Sequence, residues 1–259
     1  MKVIDQMNRS VEIPESVQRI VSLVPSQTEL LVDLGLGDKI VGVTKFCIHP
    51  KGFKNSKTVI GGTKNFHFDK IDSLNPDLII GNKEENYKEG IEQLAKKYPV
   101  WMSDILTIDD ALDMIQSIGI ITKTNEKANY FWREINENKN ALIELNKPKR
   151  NALYFIWKNP YMVSGSTNYI NDMMKLNGYI NLCNTTEFTR YPELTEKQIT
   201  ELNPEVVLLS SEPFPFKENH VKEIQKLLPN SEVNIVDGEL YSWYGSRILK
   251  ALKVFISSF

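Results

Sequence analysis

Cys47, His49 and His67 are the side chains whose types and spacing most suggest chemistry in this chain. Thiolate and imidazole are ligands for zinc, iron and copper, or for the metal of a bound cofactor. The chain has three histidines and two cysteines. Cys47-Ile48-His49 and His67 fall on neighbouring predicted loops. An imidazole there is also a candidate axial ligand for a haem or a cobalamin. Glu193 and Glu239 would add carboxylates. The rival reading is that Cys47 is a small buried hydrophobe and the histidines are hydrogen-bonded loop residues.

The second set of side chains is aromatic. The predicted loops after the strands carry Phe46, Asn65 and Phe66 in the first half of the chain. In the second half they carry Trp157, Tyr161, Tyr191, Phe214, Phe216, Tyr241, Trp243 and Tyr244. In open α/β sheets ligands bind at the carboxyl ends of strands. Aromatic faces there cover a flat ligand with large area and few rotors. An aromatic at a strand end is more often core, but eight in one half are hard to assign to core alone. Trp157 precedes the polar turn Lys158-Asn159-Pro160, which argues for exposure. Trp101 and Trp132 read as packing residues.

The elements that must position these loops occur twice. Leu74-Asn75-Pro76-Asp77 leads into Leu78-Ile79-Ile80, and Leu202-Asn203-Pro204-Glu205 leads into Val206-Val207-Leu208-Leu209. In each copy Asn-Pro stops a helix and a purely aliphatic strand begins, as expected when helices cover both sheet faces. Upstream of both copies lie a strand, a loop with small hydroxyl residues, and a helix closed by Gly35 or Gly178. Such self-similarity implies two α/β lobes of one design. Ligands sit in clefts between such lobes.

Smaller features fill in the rest. Residues 1–17 read as a hairpin turning at Met7-Asn8-Arg9. Pro25 to Glu29 open a helix, with Ser26 or Gln27 near its N-cap and Glu29 favouring the first turn through the dipole. Residues 125–146 form one helix of about 33 Å at 1.5 Å per residue, a stiff connector between lobes.

Composition excludes other classes. The 259 residues suit two cores better than one. A net charge of −2, from 31 basic and 33 acidic residues, gives no nucleic-acid or membrane-surface signature. No apolar run reaches the ~20 residues of a membrane span. The segment Met1 to Arg9 has no apolar core of a signal peptide, so the sequence as given would stay cytoplasmic. Cys47 and Cys183 fall in different lobes and are expected to stay free thiols. No Walker loop, G-x-G-x-x-G or Ser-His-Asp order is present.

The segments Arg19-Ile20-Val21-Ser22-Leu23-Val24-Pro25-Ser26, Thr28-Glu29-Leu30, Val41-Gly42-Val43 and Leu74-Asn75-Pro76-Asp77, with the long connecting helix, resemble the cobalamin/iron-siderophore periplasmic-binding family. These are the helical-backbone, class III solute receptors, and the cobalamin-binding branch is the most similar by eye. The opening Asp5 to Pro14 is similar to that family's hairpin. In the second half the match runs in order through Val163-Ser164-Gly165-Ser166, Gly178-Tyr179-Ile180-Asn181, Tyr191-Pro192-Glu193-Leu194-Thr195, and Asp237 to Arg247.

The resemblance implies an α/β fold of two Rossmann-like lobes joined by one long backbone helix. The N-terminal lobe would span 1–122, the helix 123–148 and the C-terminal lobe 149–259. It implies a non-catalytic receptor capturing a cobalamin, haem or iron-chelate type ligand in an interlobe cleft, for an ABC-type importer. The ligand-binding residues would be Phe46, Asn65, Phe66, Trp157, Tyr161, Tyr191, Tyr241 and Trp243, with Cys47, His49 and His67 as metal ligands. No cofactor is required, and bound cobalamin, haem or a first-row transition metal are the candidates. The partners are a small-molecule ligand and an ABC permease, with no nucleic acid and no membrane insertion, and the chain is expected to be a monomer. The family implies a periplasmic or cell-surface location.

The family's receptors usually carry an exposed acid on each lobe for the permease. Lys88 takes the first position, with Glu89 beside it, and the second region reads Phe216-Lys217-Glu218. The alternative is a cytoplasmic metal-dependent enzyme or cofactor-handling protein on the same scaffold, using Cys47, His49 and His67.

Overall fold

The helix stops of the two repeated phrases have the same backbone. A computed structural model describes residues 1–258. In it, Asn75 sits at φ 43°, ψ 61° and Asn203 at φ 45°, ψ 60°, each the left-handed C-cap of a helix. Asn tolerates this region better than other non-glycine residues, and Pro behind it forbids helix continuation. The acid that follows ties the new strand to its neighbour. Asp77 accepts from the backbone N–H groups of Gln18 (2.8 Å) and Arg19 (2.9 Å). Glu205 accepts from that of Asn151 (2.8 Å). The repeat is therefore a recurring strand-registration device.

The chain packs as two compact units. The first comprises residues 1–105, 109–135 and 244–249, and the second 106–108, 136–243 and 250–259. The first unit opens with the antiparallel hairpin β1 (Lys2–Ile4) and β2 (Ser10–Glu12). The Asp5 carboxylate holds its turn, accepting from Met7 N, Arg9 N and the Arg9 guanidinium. Then follow β3 (Ile20–Ser22), α1 (Pro25–Asp33), β4 (Ile40–Val43), β5 (Thr58–Val59), α2 (Phe68–Leu74), β6 (Leu78–Asn82), α3 (Lys88–Ala95), β7 (Val100–Ser103), α4 (Ile108–Thr122) and α5 (Asn125–Glu144). Its sheet is all parallel in the order β5-β4-β3-β6-β7, which is Rossmann-like with β3 at the centre. β3 and β7 are buried at every position and carry no polar alternation.

The second unit contains β8 (Arg150–Trp157), β9 (Tyr161–Val163), α6 (Tyr169–Leu176), β10 (Tyr179–Asn181), β11 (Glu193–Leu194), α7 (Glu196–Leu202), β12 (Val206–Ser210), α8 (Glu218–Leu227), β13 (Glu232–Val236), α9 (Glu239–Ser242) and α10 (Arg247–Ser257). β10, β8, β12 and β13 are parallel. The far end of β8 instead pairs antiparallel with β9, which pairs with β11. Asn168 caps α6 and Thr195 with Gln198 forms a capping box on α7.

Two local expectations are corrected. The N-cap of α1 is Val24 with Pro25 at the first helical position. Ser26 and Gln27 are therefore inside the helix and Glu29 lies beyond its first turn. Trp132 is 39% exposed, whereas Trp101 is buried at 1%. α5 buries a narrow stripe of Ala128, Ile135 and Leu142, spaced by sevens, and Trp132 lies off it. The packing division also differs from a division by chain position. Residues 244–249 pack with the first unit, where Arg247 pairs with Glu29. α5 contributes 125–135 to one unit and 136–144 to the other. Among the described residues no helix is long and apolar enough to cross a membrane.

Candidate functional site

In the first unit the sheet ends on a buried polar layer. Gln27 Nε2 donates to Ser103 Oγ (2.6 Å) at the end of β7. Asn82 Nδ2 donates to the same oxygen (2.9 Å), and Asn86 Oδ1 accepts from Asn82 N (2.9 Å). Asn86 Nδ2 reaches on to Thr63 O (3.0 Å). These bonds fasten the loops after β5 and β6 to the sheet. Phe46, in the loop after β4, is 48% exposed, with Lys45 Nζ 4.9 Å from its ring centroid. Asn65 is exposed and lies close over Gly62, where a Cβ would come within 2.4 Å of Asn65 Oδ1. Phe66 points the other way. It is buried against Phe68 (5.5 Å) and Tyr87 (4.8 Å) and anchors the loop.

The expected metal centre is not assembled. Among the described residues no group of three or more His, Cys, Asp or Glu side chains is placed to hold a metal ion. Cys47 is turned into the core, with Sγ 3.1 Å from Thr28 Oγ1 and 3.4 Å from Thr44 Oγ1. Burial pushes its thiol above the ordinary value, and the hydrogen bonds from Thr28 and Thr44 only partly offset that. Ligand thiols need the opposite shift. His67 is exposed at the N-cap of α2, and His49 is half-buried one residue before Pro50.

In the second unit the carboxyl end of β8 presents Trp157, 40% exposed. Its indole meets Phe214 edge-on at 5.5 Å, and Phe214 meets Phe216 at 4.7 Å. Phe216 is buried and continues to Phe155 (6.4 Å) in the core. A ladder of rings thus runs from solvent to core and holds Trp157 in place. Tyr161 is half-buried and donates to Glu223 Oε1 (2.7 Å), while Lys158 Nζ holds Oε2 (2.5 Å). Burial, then the bond to Glu223, raise the Tyr161 phenol. Tyr191 is half-buried with the Arg190 guanidinium 5.8 Å from its ring centroid.

Tyr241 is not on a face at all. It is 3% exposed, between Tyr154 (5.2 Å) and Phe255 (5.0 Å), and its hydroxyl meets Asn177 Nδ2 at 2.6 Å. A short helix, α9, turns its ring inward, and α9 was not expected from the sequence. Trp243 is also buried, at 8%. Its Nε1–H donates to Glu212 Oε1 (2.9 Å), as does Ser242 Oγ (2.9 Å). The sequence reading missed Glu212. The available signal was its place as the first acid after the aliphatic β12.

One surface depression of about 450 Å³ lies elsewhere, against β2 and the residues before β7, lined by Arg9, Glu12, Lys96, Tyr98 and Pro99. It is at the amino end of the first sheet, away from the aromatic loops. The exposed rings Phe46 and Trp157 therefore remain the candidates for ligand contact.

The fold agrees with what the chain is similar to. The model of the periplasmic binding protein family matches residues 20–235, so the chain belongs to that family. It is 26% identical to an uncharacterized ABC transporter substrate-binding lipoprotein, YvrC, of Bacillus subtilis, over 96% of this chain and 82% of the relative. It is 26% identical to a vitamin B12-binding protein of Yersinia pestis, over 76% of this chain and 70% of that one. Its fold matches the crystal structure of the periplasmic vitamin B12 binding protein BtuF of Vibrio cholerae. That match has a TM-score of 0.80 and 20% identity, covering 94% of this chain and 97% of the other. The family is one of solute-binding proteins, not enzymes. The family gives the rival metal-dependent enzyme no support.

Proposed function

We propose that this chain is the receptor of an ABC-type importer, working outside the cytoplasmic membrane, and that it captures a flat tetrapyrrole, a corrinoid before a porphyrin. The observation that carries this is the exposed Trp157, braced edge-on by Phe214 at the carboxyl end of a Rossmann-like sheet. A ring held at that angle offers a rigid apolar surface at little entropic cost. Phe46 offers a second exposed ring on the corresponding end of the first unit's sheet. The likeness to vitamin B12-binding proteins supports the corrinoid. No metal ligand is required of the protein, since the ligand brings its own metal.

Gel filtration of the purified chain after incubation with cyanocobalamin, haemin or a ferric hydroxamate chelate tests this reading. One equivalent of cyanocobalamin or haemin absorbance should travel with the protein. Elution of all three ligands free of the protein would contradict it.

A further inference from the structure

We propose that Glu212 is the polar anchor of the second unit's ligand face, and that it favours ligands with N–H or O–H donors on their rim over ligands bearing carboxylates. This rests on the tetrapyrrole reading above and narrows it to the amide-rimmed corrinoids.

The Glu212 carboxylate is half used. Oε1 accepts from Ser242 Oγ and Trp243 Nε1. Among the described residues Oε2 accepts from none. The residue is held on every other side. Its backbone N–H donates to Ser210 Oγ (3.3 Å), its carbonyl accepts from the same hydroxyl, and Tyr154 donates to Ser210 Oγ (3.0 Å). Its stem lies against Gly238, where a Cβ would come within 2.8 Å of Glu212 Cγ and 2.3 Å of Ser210 Oγ. The carboxylate is thus fixed in place before any ligand arrives, which is the condition for a selective contact.

Its surroundings do not favour the charge. Burial raises the Glu212 carboxyl, the bonds from Ser242 and Trp243 lower it, and the like charges of Glu239 and Asp237 add to the rise. Oε2, without a protein partner and not shut off from solvent, is the oxygen a ligand can reach. The free oxygen would be met by a donor on the ligand. Phe214, two residues on in the same loop, braces Trp157 at the end of β8, so the loop that carries the anchor also supports the exposed ring. A ligand stacked on Trp157 would bring its rim to Glu212. The corrin rim carries primary amides, which donate. The rim of haem carries carboxylates, which Glu212, Asp237 and Glu239 would repel.

Glu212→Gln separates the two oxygens. Glutamine keeps an oxygen for Ser242 and Trp243 and replaces the free one with a donor. The full chain and this variant are titrated with cyanocobalamin and with haemin at pH 7.5, following tryptophan fluorescence. The variant should bind cyanocobalamin about tenfold more weakly and haemin no more weakly than wild type. Cyanocobalamin affinity within about twofold of wild type would overturn the proposal while leaving the receptor reading intact. If the variant misfolds, wild-type selectivity decides, and tighter binding of haemin than of cyanocobalamin overturns it. A wild-type chain that binds neither overturns the receptor reading as well.

Discussion

Arg247 and Glu29, at opposite ends of the chain, form a two-bond ion pair: Nε to Oε2 at 2.7 Å and Nη2 to Oε1 at 2.6 Å. Their side chains are 3% and 17% exposed. Fork-to-fork geometry makes this the strong kind of pair. It secures the start of α10 to the middle of α1 in the first unit. Glu29→Gln would remove the bidentate carboxylate from a buried guanidinium and should cost about 3 kcal/mol. Urea unfolding measures that loss, and Arg247→Lys should recover little of it, because an ammonium cannot bridge both oxygens.

The Glu212 carboxyl is raised from its ordinary 4.5, chiefly by burial. A raised carboxyl binds its proton more tightly folded than unfolded. Wild-type stability should therefore fall as pH rises from 4.5 through the raised value. Thermal melts of Glu212→Gln should lack that component of the slope. At pH 7.5 the variant should melt at or above wild type, and the difference should shrink toward pH 4.5.

Both cysteines are buried and free. Burial raises the Cys47 thiol and pushes Cys183 up to about 12. Neither should react with an aromatic disulfide reagent at pH 8 while the chain is folded, and both should react in denaturant. Cys47→Ser should leave ligand affinity unchanged. Stoichiometric first-row metal that disappears with Cys47→Ser would contradict the placement of this thiol in the core.

The fold was legible where the chain repeats itself. Leu-Asn-Pro followed by an acid fixes a C-cap, a stop and a strand register with purely local chemistry, so both copies could be read without tertiary information. The aromatic loops were legible as a class and not as individuals. Trp157 was read correctly as exposed because a polar turn follows it. The burial of Tyr241 is not legible, because only tertiary packing, against Tyr154 and Phe255, decides which way α9 turns its ring. Cys47 and the histidines show the same limit. Neighbouring loops bring residues near each other, but whether a thiol faces its neighbours or the core is a packing outcome. Glu212 shows in the sequence only as the first acid after β12, and its bond from Trp243, 31 residues further on, is a tertiary outcome.

On the proposed reading, the exposed ring at the end of β8 binds the ligand and the buried ring of α9 supports the fold. The affinity of Trp157→Ala for cyanocobalamin, measured beside its ligand-free melt, tests this most directly. Binding should weaken by about 1–3 kcal/mol with the melt unchanged. Tyr241→Ala, the internal contrast, should lose about 3 kcal/mol of stability. Unchanged affinity in Trp157→Ala, or a melt that collapses as far as that of Tyr241→Ala, would contradict the claim.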